Sequence, residues 1–331
     1  MDSGIANTKK LNKYCIVGGA GFIGSHFTDH LLSDASVEAV TLYDNFSSGR
    51  EWHYEHHLGD SRLKVVRGDV KDLKRLTESM AGHHVVIHLA SNPDIARAVT
   101  EPEIDFNEGT LLTNNVVEAM RIAGVPRLLY ASGSGVYGDI GATEAFEDYG
   151  PLIPVSTYGA SKLAGEALIS SYCHMFGLSA RAFRFGNVVG GRQTHGVGFD
   201  FVRRLRQDPT QLRILGDGKQ SKSYIHVDDV VAAVLCANAN EPSIFRVFNV
   251  ATGDYITVTE IADLAVELLK LQPLPENQYT GGDRGWKGDV PIVRLNTDRI
   301  RNLGWKNQWN TREALKRSIV SLLEDERIYE R

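Results

Sequence analysis

The chain has 331 residues, 42% of them hydrophobic and 23% charged, with a formal net charge of −5. That length predicts one large domain or two fused ones, at roughly 100–200 residues each, and the composition is that of an ordinary soluble globular protein. The absence of a long basic run argues against nucleic acid as a partner. No stretch approaches the roughly 18 continuous apolar residues that a membrane span needs.

Residues 1–12 read as a polar lead, and Met1-Asp2-Ser3-Gly4 opens no apolar signal segment. Residues 14–17 read as a first strand. Gly18-Gly19-Ala20-Gly21-Phe22-Ile23-Gly24 follows, and a helical pattern runs over residues 22–32. A second strand is expected at 39–43, ending at Asp44, and a third at 63–67, followed by Gly68-Asp69-Val70. A fourth at 85–89, a fifth at 127–131 ending at Ser132, and a sixth at 180–185 complete the series. Apolar runs alternating with helical patterns imply an α/β fold, a doubly wound parallel sheet with helices on both faces. Ligands bind such sheets at the carboxyl ends of the strands, where Gly18, Asp44, Asp69, Ala90, Ser132 and Asn187 fall. After residue 187 the pattern loosens into short strands (213–215, 245–249) and helices (228–239, 258–270). This divides the chain into a dinucleotide-binding domain at 13–187 and a smaller α/β substrate lobe at 188–331. Strands near 224–225 and 247–249 are expected to return to the main sheet, so part of 220–255 belongs with the first domain.

The glycine segment has the strand–turn–helix context of a dinucleotide fingerprint. Its glycines let the backbone approach a pyrophosphate that sits on a helix N-terminus. Asp44, roughly 20 residues on, suits the two ribose hydroxyls of NAD and would repel the 2′-phosphate of NADP; Arg50 and Arg67 are the residues that could accommodate such a phosphate. Asp69 and Val70 suit an adenine contact, or Asp69 is a simple turn residue. Asn107 is either a cofactor contact or a helix N-cap. Tyr158 and Lys162, four apart, share one helix face. Lys162 is expected to lower the Tyr158 pKa from its ordinary value of about 10. The phenolate could then take a proton from an alcohol as hydride leaves for a nicotinamide. Cys15, Cys173 and Cys236 lie in apolar stretches and read as buried free thiols of a reducing, cytoplasmic compartment. His53, His56 and His57, beside Trp52 and Tyr54, have no companion ligand in sequence and read as a solvated loop or helix, and His83 and His84 as loop residues. No metal site is expected.

Several motifs together resemble the extended short-chain dehydrogenase/reductases. They are Gly18 to His26, Asp44 to Arg50, His88-Leu89-Ala90, Val136-Tyr137-Gly138, Tyr158-Gly159-Ala160-Ser161-Lys162, Gly216-Asp217-Gly218 and Tyr224 to Asp229. Within that superfamily the chain is similar to UDP-glucose (galactose) 4-epimerases, above all short archaeal and bacterial ones. Asn92-Pro93-Asp94, Asn187 to Gly190, His195-Gly196-Val197 and Gly285 to Asp289 add to the likeness, which runs from about residue 13 to 320. The resemblance implies NAD contacts from Gly18, Gly21, Phe22, Ile23, Gly24, Asp44, Asn45, Ser48, Gly49, Asp69, Val70, Leu89, Ala90, Asn107, Ser132, Tyr158 and Lys162. For the nucleotide sugar, a UDP-hexose, it implies Asn187 and Tyr224. Lys222 stands where the family carries an Arg on the diphosphate and loses the bidentate fork; Arg192 and Arg284 are further phosphate candidates.

The main departure is at Ser132-Gly133-Ser134-Gly135. Epimerases of this family carry a Ser or Thr three residues before Val136, which relays the sugar proton to Tyr; here that residue is Gly133. Ser134 swung inward, direct contact with Tyr158 with or without a water, and Ser132 are the three alternatives. The dehydratases and decarboxylases of the superfamily place acids just before this Val, and 3,5-epimerases a Cys nearby. Ser134-Gly135 has no titratable side chain. This leaves oxidation at C4, either reversed on the other face or released as a ketone. The retained Tyr–Lys pair argues against a non-catalytic NAD sensor. A homodimer through helices at 107–123 and 158–176 is also implied, with Leu111, Leu112, Val116, Leu163, Ala167 and Leu168 either at that surface or in the core.

Overall fold

The computed structural model describes residues 11–329; the expected polar lead lies almost wholly outside them. The chain runs β1 (Lys13–Val17), α1 (Phe22–Ser33), β2 (Ala39–Asp44), β3 (Leu63–Arg67), α2 (Leu73–Met80), β4 (Val85–His88), α3 (Leu111–Ala123), β5 (Arg127–Gly133) and α4 (Thr157–Phe176), then strands Ser179–Phe185 and Phe245–Val250. These seven strands form one parallel sheet in the order Phe245–Val250, Ser179–Phe185, β5, β4, β1, β2, β3. The chain winds outward from β1 through β2 to β3, then restarts at β4 on the other side of β1. The reversal opens a crevice at the carboxyl ends of β1 and β4.

Alternate residues of each strand face opposite sides of the sheet, and both sides are apolar. Tyr14 and Ile16 of β1 pack with Phe27, Leu31 and Val230 in one core. Cys15 and Val17 pack with Leu76, Met80, Val116 and Met120 in the other. Burial on two faces is why these strands read as continuous apolar runs. A third core, with Phe201, Leu212, Ile261 and Leu315, holds helices Val197–Gln207, Val258–Leu269 and Thr311–Glu324 together.

Three expectations are corrected and one open alternative is decided. Strand Tyr224–His226 pairs with Asn187–Val189 and not with the main sheet, because Phe245–Val250 takes the edge beside Ser179–Phe185. Cys15 and Cys173 are buried free thiols, but Cys236 is only half-buried. Leu112 and Val116 are buried in the core and so cannot lie at an outer surface. His53 is not solvated but fully buried. Among the described residues no helix is long and apolar enough to cross a membrane.

Candidate active site

The glycine turn is fixed by close backbone approach. Gly18 has φ +83°, and a Cβ there would lie 2.7 Å from the Ala90 nitrogen; a Cβ on Gly24 would meet the Gly18 and Gly19 carbonyls at 2.6 Å. Only glycine fits either place. α1 then starts at Gly21 with no side-chain cap and no acidic residue in its first turn. Its first N–H groups and positive dipole end are left for an anion.

Asp44, at the end of β2, is buried and accepts from the Ala20 N–H at 2.9 Å and the Phe46 N–H at 2.8 Å. Burial raises its pKa, with those two N–H groups acting in the opposite direction. Each carboxylate oxygen keeps a second acceptor site, so the ribose role remains open to it. Gly49 packs on the Ala20 methyl and the Asp44 carboxylate. Arg50 donates its N–H to the Ala20 carbonyl, and Asn45 reaches Asp69 at 3.4 Å. The crevice therefore brings Gly18, Gly21, Gly24, Asp44, Asn45, Gly49, Asp69, Leu89 and Ala90 together around one turn. Uncapped helix, glycine cradle and buried acid fit a dinucleotide. Val70 points its side chain into the core, which leaves only its backbone for a ligand. Asn107 is no N-cap; it sits inside a π-helical turn, Phe106–Thr110, ahead of α3.

Tyr158, Lys162 and Glu166 follow one another at four-residue spacing along α4, so they share a face. The helix is capped by the Ser156 hydroxyl on the Gly159 N–H. Lys162 donates to the Ala131 carbonyl at 2.8 Å. Its Nζ lies 5.3 Å from the centre of the Tyr130 ring and 5.5 Å from that of Tyr158. The expected lowering of the Tyr158 pKa is overturned: burial dominates and pushes the phenol up to about 12. Hydrogen bonding from Ser91 pulls down and the Asp105 charge pushes up. Burial likewise lowers Lys162 to about 8, against the pull of Asp105. At neutral pH the pair is thus a phenol beside an ammonium.

Of the serines around Gly133, Ser132 is turned away from Tyr158. Its hydroxyl donates to Glu166 at 2.6 Å, and Glu166 forms a buried ion pair with Arg184 at 2.7 Å. Ser134 begins the turn Ser134–Tyr137 and lines a small pocket with Tyr137, Gly138, Ile292 and Arg294. Gly133 itself faces the tyrosine: the nearest atom to a Cβ placed there would be Tyr158 Cε1, at 3.9 Å.

The expected substrate cations are partly brought together. Asp289 holds Lys222 at 2.6 Å and, through its carbonyl, Arg284 at 2.8 Å. Arg284 also binds Asp139 at 2.5 Å. Tyr224 is buried beside this cluster, and Asn187 lies exposed at the start of its strand. Arg192 is held elsewhere, against α1, by Asp29 and the His53 carbonyl.

Several groups at the site carry little signature in the sequence. Asp105 is buried and accepts from Asn92 at 2.9 Å and Thr157 at 2.6 Å. His53 donates from Nδ1 to the Ala20 carbonyl at 2.7 Å, which fixes its tautomer, and burial lowers its pKa to about 4. His56 and His57 both bind Asp29 of α1, at 2.9 and 2.7 Å; since Arg192 takes the second oxygen of that carboxylate, the group is an ion-pair lock between α1 and two loops.

Comparison with known proteins adds three kinds of finding. The model of the NAD-dependent epimerase/dehydratase family matches residues 14–251. A UDP-glucose 4-epimerase of Mycolicibacterium smegmatis is 32% identical over 92% of this chain and 96% of its own length. A crystal structure of a UDP-galactose 4-epimerase superposes with a TM-score of 0.82 at 36% identity, covering 94% of this chain and 99% of that one. A UDP-glucuronic acid decarboxylase of Danio rerio is also similar, 29% identical over 94% of this chain and 72% of that protein.

Proposed function

The chain belongs to the NAD-dependent epimerase/dehydratase family, as an NAD-dependent nucleotide-sugar enzyme on an extended short-chain dehydrogenase/reductase fold, and from that premise we propose that it is a 4-epimerase of UDP-hexoses. The observation that carries this choice is the chemistry available beside Tyr158. Elimination of water across C5 and C6 of the sugar needs a base for the C5 proton and an acid for the leaving hydroxyl. Residues 133–135 offer only Gly-Ser-Gly, without a titratable side chain, and the nearby Asp105 is buried and engaged by Asn92 and Thr157. A Tyr–Lys pair with no acid or base at residues 133–135 suits oxidation and reduction at one carbinol.

When bound, NAD supplies the hydride acceptor and donor at its nicotinamide ring. The glycine turn, the α1 N-terminus and Asp44 hold the dinucleotide. Tyr158 acts in its ionised fraction: the phenolate, formed when the resting phenol gives its proton to solvent, removes the C4 hydroxyl proton and returns it after the 4-keto sugar has turned about its diphosphate. Lys162, cationic at neutral pH, favours the phenolate through space and is the residue that would hold the nicotinamide ribose. Lys222 and Arg284, gathered by Asp289, neutralise the diphosphate. The glycine-rich segment at 190–198 gives the sugar room to rotate. A homodimer through the outer faces of α3 and α4 suits the exposed Ile122, Ala167, Met175 and Phe176 there.

Tyr158→Phe tests the mechanism. Turnover should fall at least about a hundredfold, because one general-base step is typically worth roughly 10²–10⁴, while UDP-sugar binding stays within about threefold of the wild type. Normal turnover by the variant would remove Tyr158 from the chemistry.

A further inference from the structure

Midway along α1, the Asp29 carboxylate faces the turn Glu55–His57. Its Oδ1 meets two imidazole nitrogens at once, His56 Nε2 at 2.9 Å and His57 Nε2 at 2.7 Å. The two rings lie 4.1 Å apart, tilted by 44°, and the three donor atoms fall within 4.8 Å of one another. Sequence spacing shows the paired histidines but not the acid, which stands 27 residues before His56. The other carboxylate oxygen, Oδ2, is held by Arg192, whose second nitrogen donates to the His53 carbonyl at 3.0 Å. A carboxylate oriented in this way by a hydrogen bond at one oxygen can present the other to a metal ion. The cluster is partly covered and opens to water at His56, whose side chain is 48% exposed. Two imidazole nitrogens and one carboxylate oxygen suit a divalent ion of the zinc type, whereas magnesium and calcium call for oxygen ligands. Zinc bonds of about 2.0–2.2 Å at tetrahedral angles set neighbouring ligand atoms about 3.3 Å apart, so the cluster has to open by only about half an ångström. A second histidine group, His26, His30 and His226 around Asp228, is looser. Its nitrogens lie 3.2, 3.8 and 3.4 Å away and are divided between the two oxygens.

We propose that Asp29, His56 and His57 form a binding site for a zinc-type divalent transition-metal ion, with water as the fourth ligand. The ion takes the place of the two imidazole hydrogen bonds and fastens the turn Glu55–His57 to α1. The same loop touches the cofactor crevice: His53 donates to the Ala20 carbonyl at 2.7 Å, and the Arg50 N–H bonds that carbonyl at 3.0 Å. Metal binding therefore stiffens the segment packed against the glycine turn. The role is structural. It takes no part in the chemistry at Tyr158 and does not depend on which sugar is turned over.

Tag-free, NAD-loaded protein, stripped with a chelator, is titrated with zinc chloride by calorimetry and with cobalt(II) chloride by visible absorption. The wild type should bind a single equivalent of zinc with Kd in the micromolar range or tighter, and cobalt should show the intense bands of a four-coordinate ion. His56→Gln and His57→Gln should each weaken zinc at least about tenfold. His30→Gln, at the Asp228 group, should leave zinc binding as it is in the wild type. Zinc should raise the thermal midpoint of the wild type and leave that of His57→Gln nearly unmoved. Failure of the wild type to bind zinc below about 100 μM, some 5.5 kcal/mol of binding, overturns the proposal whether or not any variant folds. Undiminished binding by both His56→Gln and His57→Gln overturns it too. A loss confined to His30→Gln would also do so, by placing the ion at Asp228.

Discussion

Replacing Lys162 by Met removes a buried ammonium and keeps most of the side-chain length. Lys162 is 4% exposed, and burial lowers its pKa from 10.5 to about 8. The folded-state pKa is depressed, so the unfolded chain holds the proton more tightly. Wild-type stability therefore rises with pH between about 8 and 10.5, and below about 8 the folded state bears the full cost. At about 1.36 kcal/mol per pKa unit this is about 3 kcal/mol. The substitution also removes the 2.8 Å hydrogen bond to the Ala131 carbonyl, a loss of about 1–2 kcal/mol. Lys162→Met is expected to be more stable than the wild type by about 1–2 kcal/mol near pH 7, and to lose that advantage as the pH approaches 10.5, while activity is lost throughout. Urea denaturation at several pH values reads this directly. A variant that is less stable near neutrality, or a difference that does not change with pH, would refute the reasoning and mean that Lys162 bears no desolvation cost.

Two further perturbations follow from the same geometry. Glu166→Gln keeps an acceptor for Ser132 but leaves the Arg184 guanidinium, whose side chain is 4% exposed, without its counter-charge; a loss of about 3–5 kcal/mol is expected in urea unfolding, and a loss under 1 kcal/mol would show that the pair is solvated. Asp44→Ala removes the acceptor of the Ala20 and Phe46 N–H groups and the proposed partner of the adenosine ribose, so calorimetric titration should give NAD affinity at least about tenfold weaker and a narrower preference over NADP. Unchanged NAD affinity would contradict the placement of the adenosine ribose.

Much of the site was legible because its signals are local. Gly24 is required by the carbonyls of Gly18 and Gly19 just before it, though Gly18 owes its place to Ala90 across the sheet, and Asp44 ends a strand whose apolar run marks its own boundary. Tyr158 and Lys162 declare a shared face by spacing alone. What was not legible depends on which faces meet in three dimensions. Ser132 reads as a site residue until β5 is seen to turn it toward Glu166; the clue lay in Glu166 standing eight residues after Tyr158 on the same helix face. His53 sits among polar neighbours that suggest solvent, yet the loop folds back and buries it under the Ala20 carbonyl. Leu112 and Val116 fit either an outer helix face or the core, and only the packing of α3 against the sheet decides. The Tyr158 pKa ran opposite to expectation because a neighbouring cation can be inferred from spacing whereas the depth of burial cannot.

On the proposed reading the enzyme oxidises and reduces C4 alone. The most direct measurement incubates the protein and NAD with UDP-glucose, UDP-N-acetylglucosamine and UDP-glucuronate in D2O and follows the sugar by NMR. A C4 epimer carrying no solvent deuterium is the predicted result, since the hydride leaves and returns without meeting water. Deuterium at C3, C5 or C6, a lost carboxylate, or accumulating NADH with a free ketone would contradict it.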